Sequence, residues 1–188
     1  MKELYDLEIT NLAELVDLAP GSVVENCRLQ GLDLQAVSLD GIRFVDCDFN
    51  TCNVSSVRLH QSAWRGVHFE HCKLMGMRWD TAKKEGFAVS FKECTLDYSV
   101  FAGIDLSKSA FVASSLREVA FEGCHLAGVA FERCRMAGVV ITGCDLRGAD
   151  FRTAVDWTIH PSENQLTGAR FYRDQLWGLL QHLDLVIE

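Results

Sequence analysis

From residue 27 onward the sequence places an apolar side chain at every fifth position. The series runs Leu29, Leu34, Leu39, Phe44, Phe49, Val54, Leu59, Trp64, Phe69, Leu74 and Trp79. It slips by two residues and resumes at Phe91, Leu96, Phe101, Leu106, Phe111, Leu116, Phe121, Leu126, Phe131, Met136, Ile141, Leu146 and Phe151. All 24 positions are apolar, and nine of them are Phe. A helix needs a period near 3.6 and a simple strand a period of 2. A period of five satisfies neither, so the chain must fold as a repeat in which each unit presents one large side chain inward.

Two residues before each large position sits a smaller one. Eight of these are Cys and seven are Val. A spacing of two puts both side chains on one face of a short extended segment. The intervening positions are mostly polar. Two residues after the large position glycine recurs, as at Gly31, Gly41, Gly66, Gly123 and Gly143, which suits a corner that needs positive φ. Extended pieces joined by corners build a coil with flat sides. Phe91, Phe111, Phe131, Phe151 and Phe171 recur at every fourth unit, so four units make one turn. The expected fold is an all-β solenoid whose Phe side chains stack as a ladder. The 24 regular units make about six coils, roughly 29 Å of stack at ~4.8 Å per coil.

Units such as Cys144-Asp-Leu-Arg-Gly, Ala149-Asp-Phe-Arg-Thr and Ile104-Asp-Leu-Ser-Lys resemble the A(D/N)LXX signature of the pentapeptide-repeat family. The resemblance covers about residues 22–151. It implies a right-handed quadrilateral β-helix with short N-terminal and C-terminal helices. Cys and Val stand where the family has Ala, which alters the packing of the core and leaves the architecture.

Three segments break the rule. Residues 1–21 are expected as an N-terminal cap, with a short helix over Asn11 to Pro20 opened by a capping box of Asn11 and Glu14 and closed by Pro20-Gly21. Residues 80–90 form a loop within the β-helix of residues 22–171. There Asp80, Lys83, Lys84, Glu85 and Gly86 are candidate partner-binding residues, weighed against a tolerated surface insertion. The last coil is irregular from residue 153. Residues 172–188 form a helix and tail in which Leu176, Trp177, Leu179, Leu180 and Leu183 are too apolar to be left open. They cap the last coil, or pair with a second copy of the chain as a homodimer.

The chemistry-bearing residues point away from catalysis. All eight cysteines fall on the small inward position, with none of the paired short spacings of a metal site, so they read as buried thiols; Cys52, Cys72 and Cys94 should stack in successive coils. His60, His68, His71 and His125 should point outward, and a His68/His71 metal pair is the weaker reading. P-loop, dinucleotide-binding and serine-hydrolase patterns are missing from the sequence, and a convex rod offers no cleft to desolvate a carboxylate. No catalytic, cofactor or metal residue is assigned. The net charge of −8 argues against direct binding to nucleic acid. No apolar run reaches membrane-spanning length and the first residues lack a signal-peptide core, so a cytoplasmic protein is expected.

The N-terminal cap, single mid-chain loop and C-terminal tail are similar to those of the quinolone-resistance and microcin-immunity pentapeptide proteins. That resemblance implies a dimer joined through the C-terminal segments, acting on DNA gyrase or topoisomerase IV by DNA mimicry and shielding the enzyme from inhibitors. A scaffold or adaptor solenoid with an unrelated protein partner is the alternative. Val100, Ala120 and Val140 should face outward on one side, and an apolar strip there favours the adaptor, whereas a continuous negative stripe favours the topoisomerase.

Overall fold

A computed structural model describes residues 1–35, 37–183 and 185, with the backbone alone at residue 16. Short parallel strands, each two to four residues long, stack into a seven-stranded, a four-stranded and a three-stranded sheet. Isolated parallel bridges complete the remaining wall, from Asp33↔Asn53 through Ser115↔Arg135 to Arg135↔Val155. The result is the right-handed quadrilateral β-helix expected from the repeat.

Each coil pairs with the next at an offset of four units, as in Phe49↔Phe69, Phe91↔Phe111 and Phe111↔Phe131. That register puts like on like. The Phe ring centroids follow at 4.7 Å (Phe49–Phe69), 5.7 Å (Phe69–Phe91), 5.3 Å (Phe91–Phe111), 5.2 Å (Phe111–Phe131) and 4.9 Å (Phe131–Phe151), all stacked. A second ladder, Trp79, Phe101 and Phe121, rises on another wall and meets the first edge to face. Aromatic pairs in these geometries add to the burial of large apolar areas. All 24 large positions are buried, so the core is a continuous column inside the coil.

The eight cysteines are buried free thiols. They line the corners, where each of several Sγ atoms reaches a backbone carbonyl: Cys47 to Val24 at 3.3 Å, Cys124 to Phe101 at 3.3 Å, Cys144 to Phe121 at 3.3 Å. The backbone N–H of Cys52 donates to the Cys72 sulfur at 3.3 Å, and Cys94 follows on the next coil. Burial pushes the Cys47 and Cys134 thiols up to about 11.

The solenoid starts earlier than residue 22. Glu3–Tyr5 and Glu8–Ile9 are strands paired to Val23–Glu25 and Arg28–Gln30, with Leu4↔Val24 and Ile9↔Leu29 in register. Stepping back by fives from Leu29 lands on Val24, Ile9 and Leu4; only Glu14 and Ala19 break the count. The helix between them is a single turn, Ala13–Val16, with Leu12 as its first flanking residue. Asn11 Oδ1 accepts from the Ala13 N–H at 3.0 Å, but the reciprocal Glu14 contact of a capping box is not among the described hydrogen bonds. Leu15 and Leu18 are the residues this turn buries against the first coil.

At the other end the count slips once more. Asp156 holds positive φ at a corner, and Trp157 and Ile159 are buried instead. Trp157 packs against Phe151 and Phe171, at 6.1 and 5.0 Å. The tail winds as a 3-10 helix, Arg173–Leu179, rather than the longer helix expected.

Candidate functional site

The mid-chain insertion is a seven-residue unit in place of a five-residue one. Trp79–Thr81 forms a 3-10 turn, and the strand pairing across the insertion, Val67↔Val89 through Glu70↔Lys92, absorbs the slip of two. Backbone bonds tie both shoulders to the coil below: Gln61 N–H to Thr81 O, Lys83 N–H to Ser62 O, and Ala88 N–H to Trp64 O. Ala82 and Phe87 turn inward, and Phe87 lies edge-on to Trp79 at 5.8 Å. What projects is Lys83, Lys84, Glu85 and Gly86, all exposed. Asp80 is placed apart from them. It is held in the wall by Arg78, whose guanidinium makes two bonds to its carboxylate at 2.9 and 2.8 Å and keeps its carboxyl below the usual range. Gly86 has φ +71°, and a Cβ there would lie 3.0 Å from the Arg65 side chain, so the tip of the bulge rests on the coil beneath.

The tail residues separate onto two sides. Leu179 packs on the core and Leu180 is half-buried, whereas Leu176, Trp177 and Leu183 are exposed, with Tyr172 and Leu185 beside them in sequence. Gly178 is the buried residue of this helix. A Cβ on it would lie 2.4 Å from the Trp157 carbonyl oxygen and 2.5 Å from its ring. Ile159 N–H donates to the Gly178 oxygen at 3.0 Å. The tail therefore caps its own last coil through one side and presents an apolar remainder on the other.

Several charges on the lateral walls are paired. Arg117 with Asp97, Arg147 with Asp145, Arg152 with Asp150, Arg58 with Asp40 and Lys92 with Glu70 all approach within 2.7 Å. Asp97 is buried, and it also accepts from Ser115 Oγ and the Arg117 N–H. Arg147 holds the Asp145 carboxyl far below the carboxylate range, and Arg152 lowers Asp150. Val100, Ala120 and Val140 do lie in one column, in parallel register, with Val140 52% exposed.

The net negative charge is concentrated in the first coils. Residues 1–50 contain ten Asp and Glu against three Lys and Arg, so −7 of the net −8 sits there. Asp6, Glu8, Asp46 and Asp48 line one groove with Asn26 and Arg28, and Glu3 and Glu25 line the next with Arg43 and Arg65. The repeat pattern hides this asymmetry, because it reads only inward positions. A running count of charge along the chain would have found it.

Coils of stacked five-residue units, a small surface bulge and a capped end define a four-sided β-solenoid. Residues 84–155 match the family model for the pentapeptide repeat region. Among solved structures, trypsin-treated QnrB1, a plasmid-mediated fluoroquinolone resistance protein, is similar over 100% of this chain and 98% of its own, at 16% identity and a TM-score of 0.50. HetL, a pentapeptide repeat protein involved in heterocyst differentiation regulation from Nostoc sp. strain PCC 7120, matches over 80% of this chain and 86% of its own, at 17% identity and a TM-score of 0.47. No curated protein sequence matches the chain. Among the described residues no helix is long and apolar enough to cross a membrane.

Proposed function

We propose that this chain is a non-catalytic binding solenoid of the cytoplasm whose partner is a type II topoisomerase, DNA gyrase or topoisomerase IV, and that it protects that enzyme from inhibitors. The partner class rests on the resemblance to quinolone-resistance solenoids, and the fold match to a fluoroquinolone resistance protein supports it. The observation that carries the reading is the concentration of −7 of the net charge in residues 1–50 of a rigid rod. Such an end is attracted to a basic, DNA-binding surface, with steering that weakens as salt rises. The mimicry of DNA is assigned to these first coils, because residues 51–188 carry 16 Asp and Glu against 15 Lys and Arg and so are close to neutral as a whole. The bulge of Lys83 to Gly86 supplies a second contact, and the exposed side of the tail pairs two copies end to end.

The test is a gyrase supercoiling assay with and without a quinolone, run at two salt concentrations. Protection or altered activity, reduced by charge-neutralising Asp6→Asn, Glu8→Gln, Asp46→Asn and Asp48→Asn together and by higher salt, is expected. Replacing Lys83, Lys84 and Glu85 by Ala should alter the effect and leave the melting temperature unchanged. No effect on either type II topoisomerase at micromolar protein rejects this reading. The second reading, an adaptor for an unrelated protein, is favoured by the apolar column of Val100, Ala120 and Val140. It expects Val140→Asp to abolish partner capture and the acidic variants to leave it intact.

A further inference from the structure

His160 and His182 belong to different elements, one to the last coil and the other to the tail, yet their rings lie with centroids 4.6 Å apart and planes tilted by 48°. His160 precedes the 3-10 turn Pro161–Glu163, and its carbonyl accepts from Asn164 Nδ2 at 3.0 Å, which fixes its backbone. Three bonds bring the tail to it: Ile159 N–H to Gly178 O, Thr158 Oγ1 to Gln181 Oε1 at 2.7 Å, and Trp157 Nε1 to Gln175 Oε1 at 3.3 Å. The two imidazoles are thus held together by the coil and the tail around them, not by each other. His160 is half-buried and His182 exposed, so an ion can reach both.

We infer that His160 and His182 form a two-imidazole site for a borderline first-row divalent cation, of the Zn²⁺ or Ni²⁺ class, which clamps the tail onto the last coil. Imidazole nitrogen suits these ions, and hard cations such as Mg²⁺ and Ca²⁺ prefer oxygen. Rotation of either ring by half a turn exchanges its nitrogen and carbon positions, and the site requires each ring to turn one nitrogen toward a shared point. No cluster of three or more His, Cys, Asp or Glu suited to a metal occurs among the described residues, so water fills the other positions and the site is weak and exchangeable. Because the clamp closes onto the segment that exposes Leu176, Trp177 and Leu183, ion binding would stiffen the apolar end of the rod.

Calorimetric titration of Ni²⁺ into the full chain near neutral pH, with thermal melts in the presence and absence of the ion, tests this. One ion per chain and a higher melting temperature with Ni²⁺ are expected. Each of His160→Asn and His182→Asn should weaken binding by about tenfold or more and remove the thermal shift, while His68→Asn leaves both unchanged. Acidification should release the ion, because protons compete for imidazole. If binding persists in both His160→Asn and His182→Asn, the ion sits elsewhere; if the wild type binds none at about 1 mM Ni²⁺, the pair is only a stack of rings. Either result overturns the site. His182 is exposed, so the His182→Asn arm does not depend on the fold surviving.

Discussion

Trp79 stacks on Phe101 with ring centroids 5.9 Å apart and planes 11° from parallel, although the two lie on opposite sides of the slip in the repeat. The inward ladder on this wall therefore passes the insertion without a break. The extra residues are expelled to the surface as the Lys83–Gly86 bulge, because the column tolerates no gap at its interior and the backbone bonds of the shoulders hold the register.

Removing one rung should be costly. Phe111 is fully buried between Phe91 and Phe131. Phe111→Ala is expected to lose about 3–5 kcal/mol in urea unfolding, from lost burial plus a cavity that stacked coils cannot close. A loss below about 1 kcal/mol would contradict the ladder.

The thiols should be slow. All eight are buried inside the coil, and burial pushes the Cys47 and Cys134 thiols up to about 11, so reagent must wait for the coil to open. Native protein should react over hours with a thiol reagent, and all eight cysteines should titrate after denaturation without reductant.

Acid should weaken the C-terminal coils. Asp145 and Asp150 have carboxyls depressed by Arg147 and Arg152. A depressed carboxyl adds stability that is present above its unfolded value and lost as pH falls through its folded value, so the loss begins below about pH 4. Arg147→Ala should be less stable than wild type at pH 7, and the difference should shrink progressively as pH falls below about 4, as read by urea melts. Equal stability at pH 7 would mean that solvent already screens the pair.

Gly178 is the hinge pin of the tail. Gly178→Ala drives a methyl into Trp157 and should cost roughly 1–3 kcal/mol by overpacking, or release the tail altogether. Increased proteolysis after residue 172, with the melting of the remaining coils unchanged, would show release.

Pairing of two copies through the tail is checked by sedimentation. The wild type is expected at twice 21.0 kDa, and Leu176→Asp with Leu180→Asp at 21.0 kDa. A wild type that runs as a single chain at tens of micromolar rejects the pairing, and the exposed Trp177 and Leu183 then belong to some other contact.

The five-residue spacing alone determined the interior: which side chains point inward, that four units make a turn, that Phe stacks on Phe, and that cysteines are core residues. This follows because stacking coils bury the same positions in every repeat, so the rule is local and is written in each unit. The exterior was decided by tertiary structure. Which outward residues meet depends on a neighbour one full coil away, as Arg117 meets Asp97 and Lys92 meets Glu70, and only the register brings them together. The ends were decided there too. Leu4 and Ile9 are core because strands exist for them to pair with. Leu179 and Leu176 share a helix but part company, because Gly178 lets one side approach Trp157 and leaves the other to the solvent.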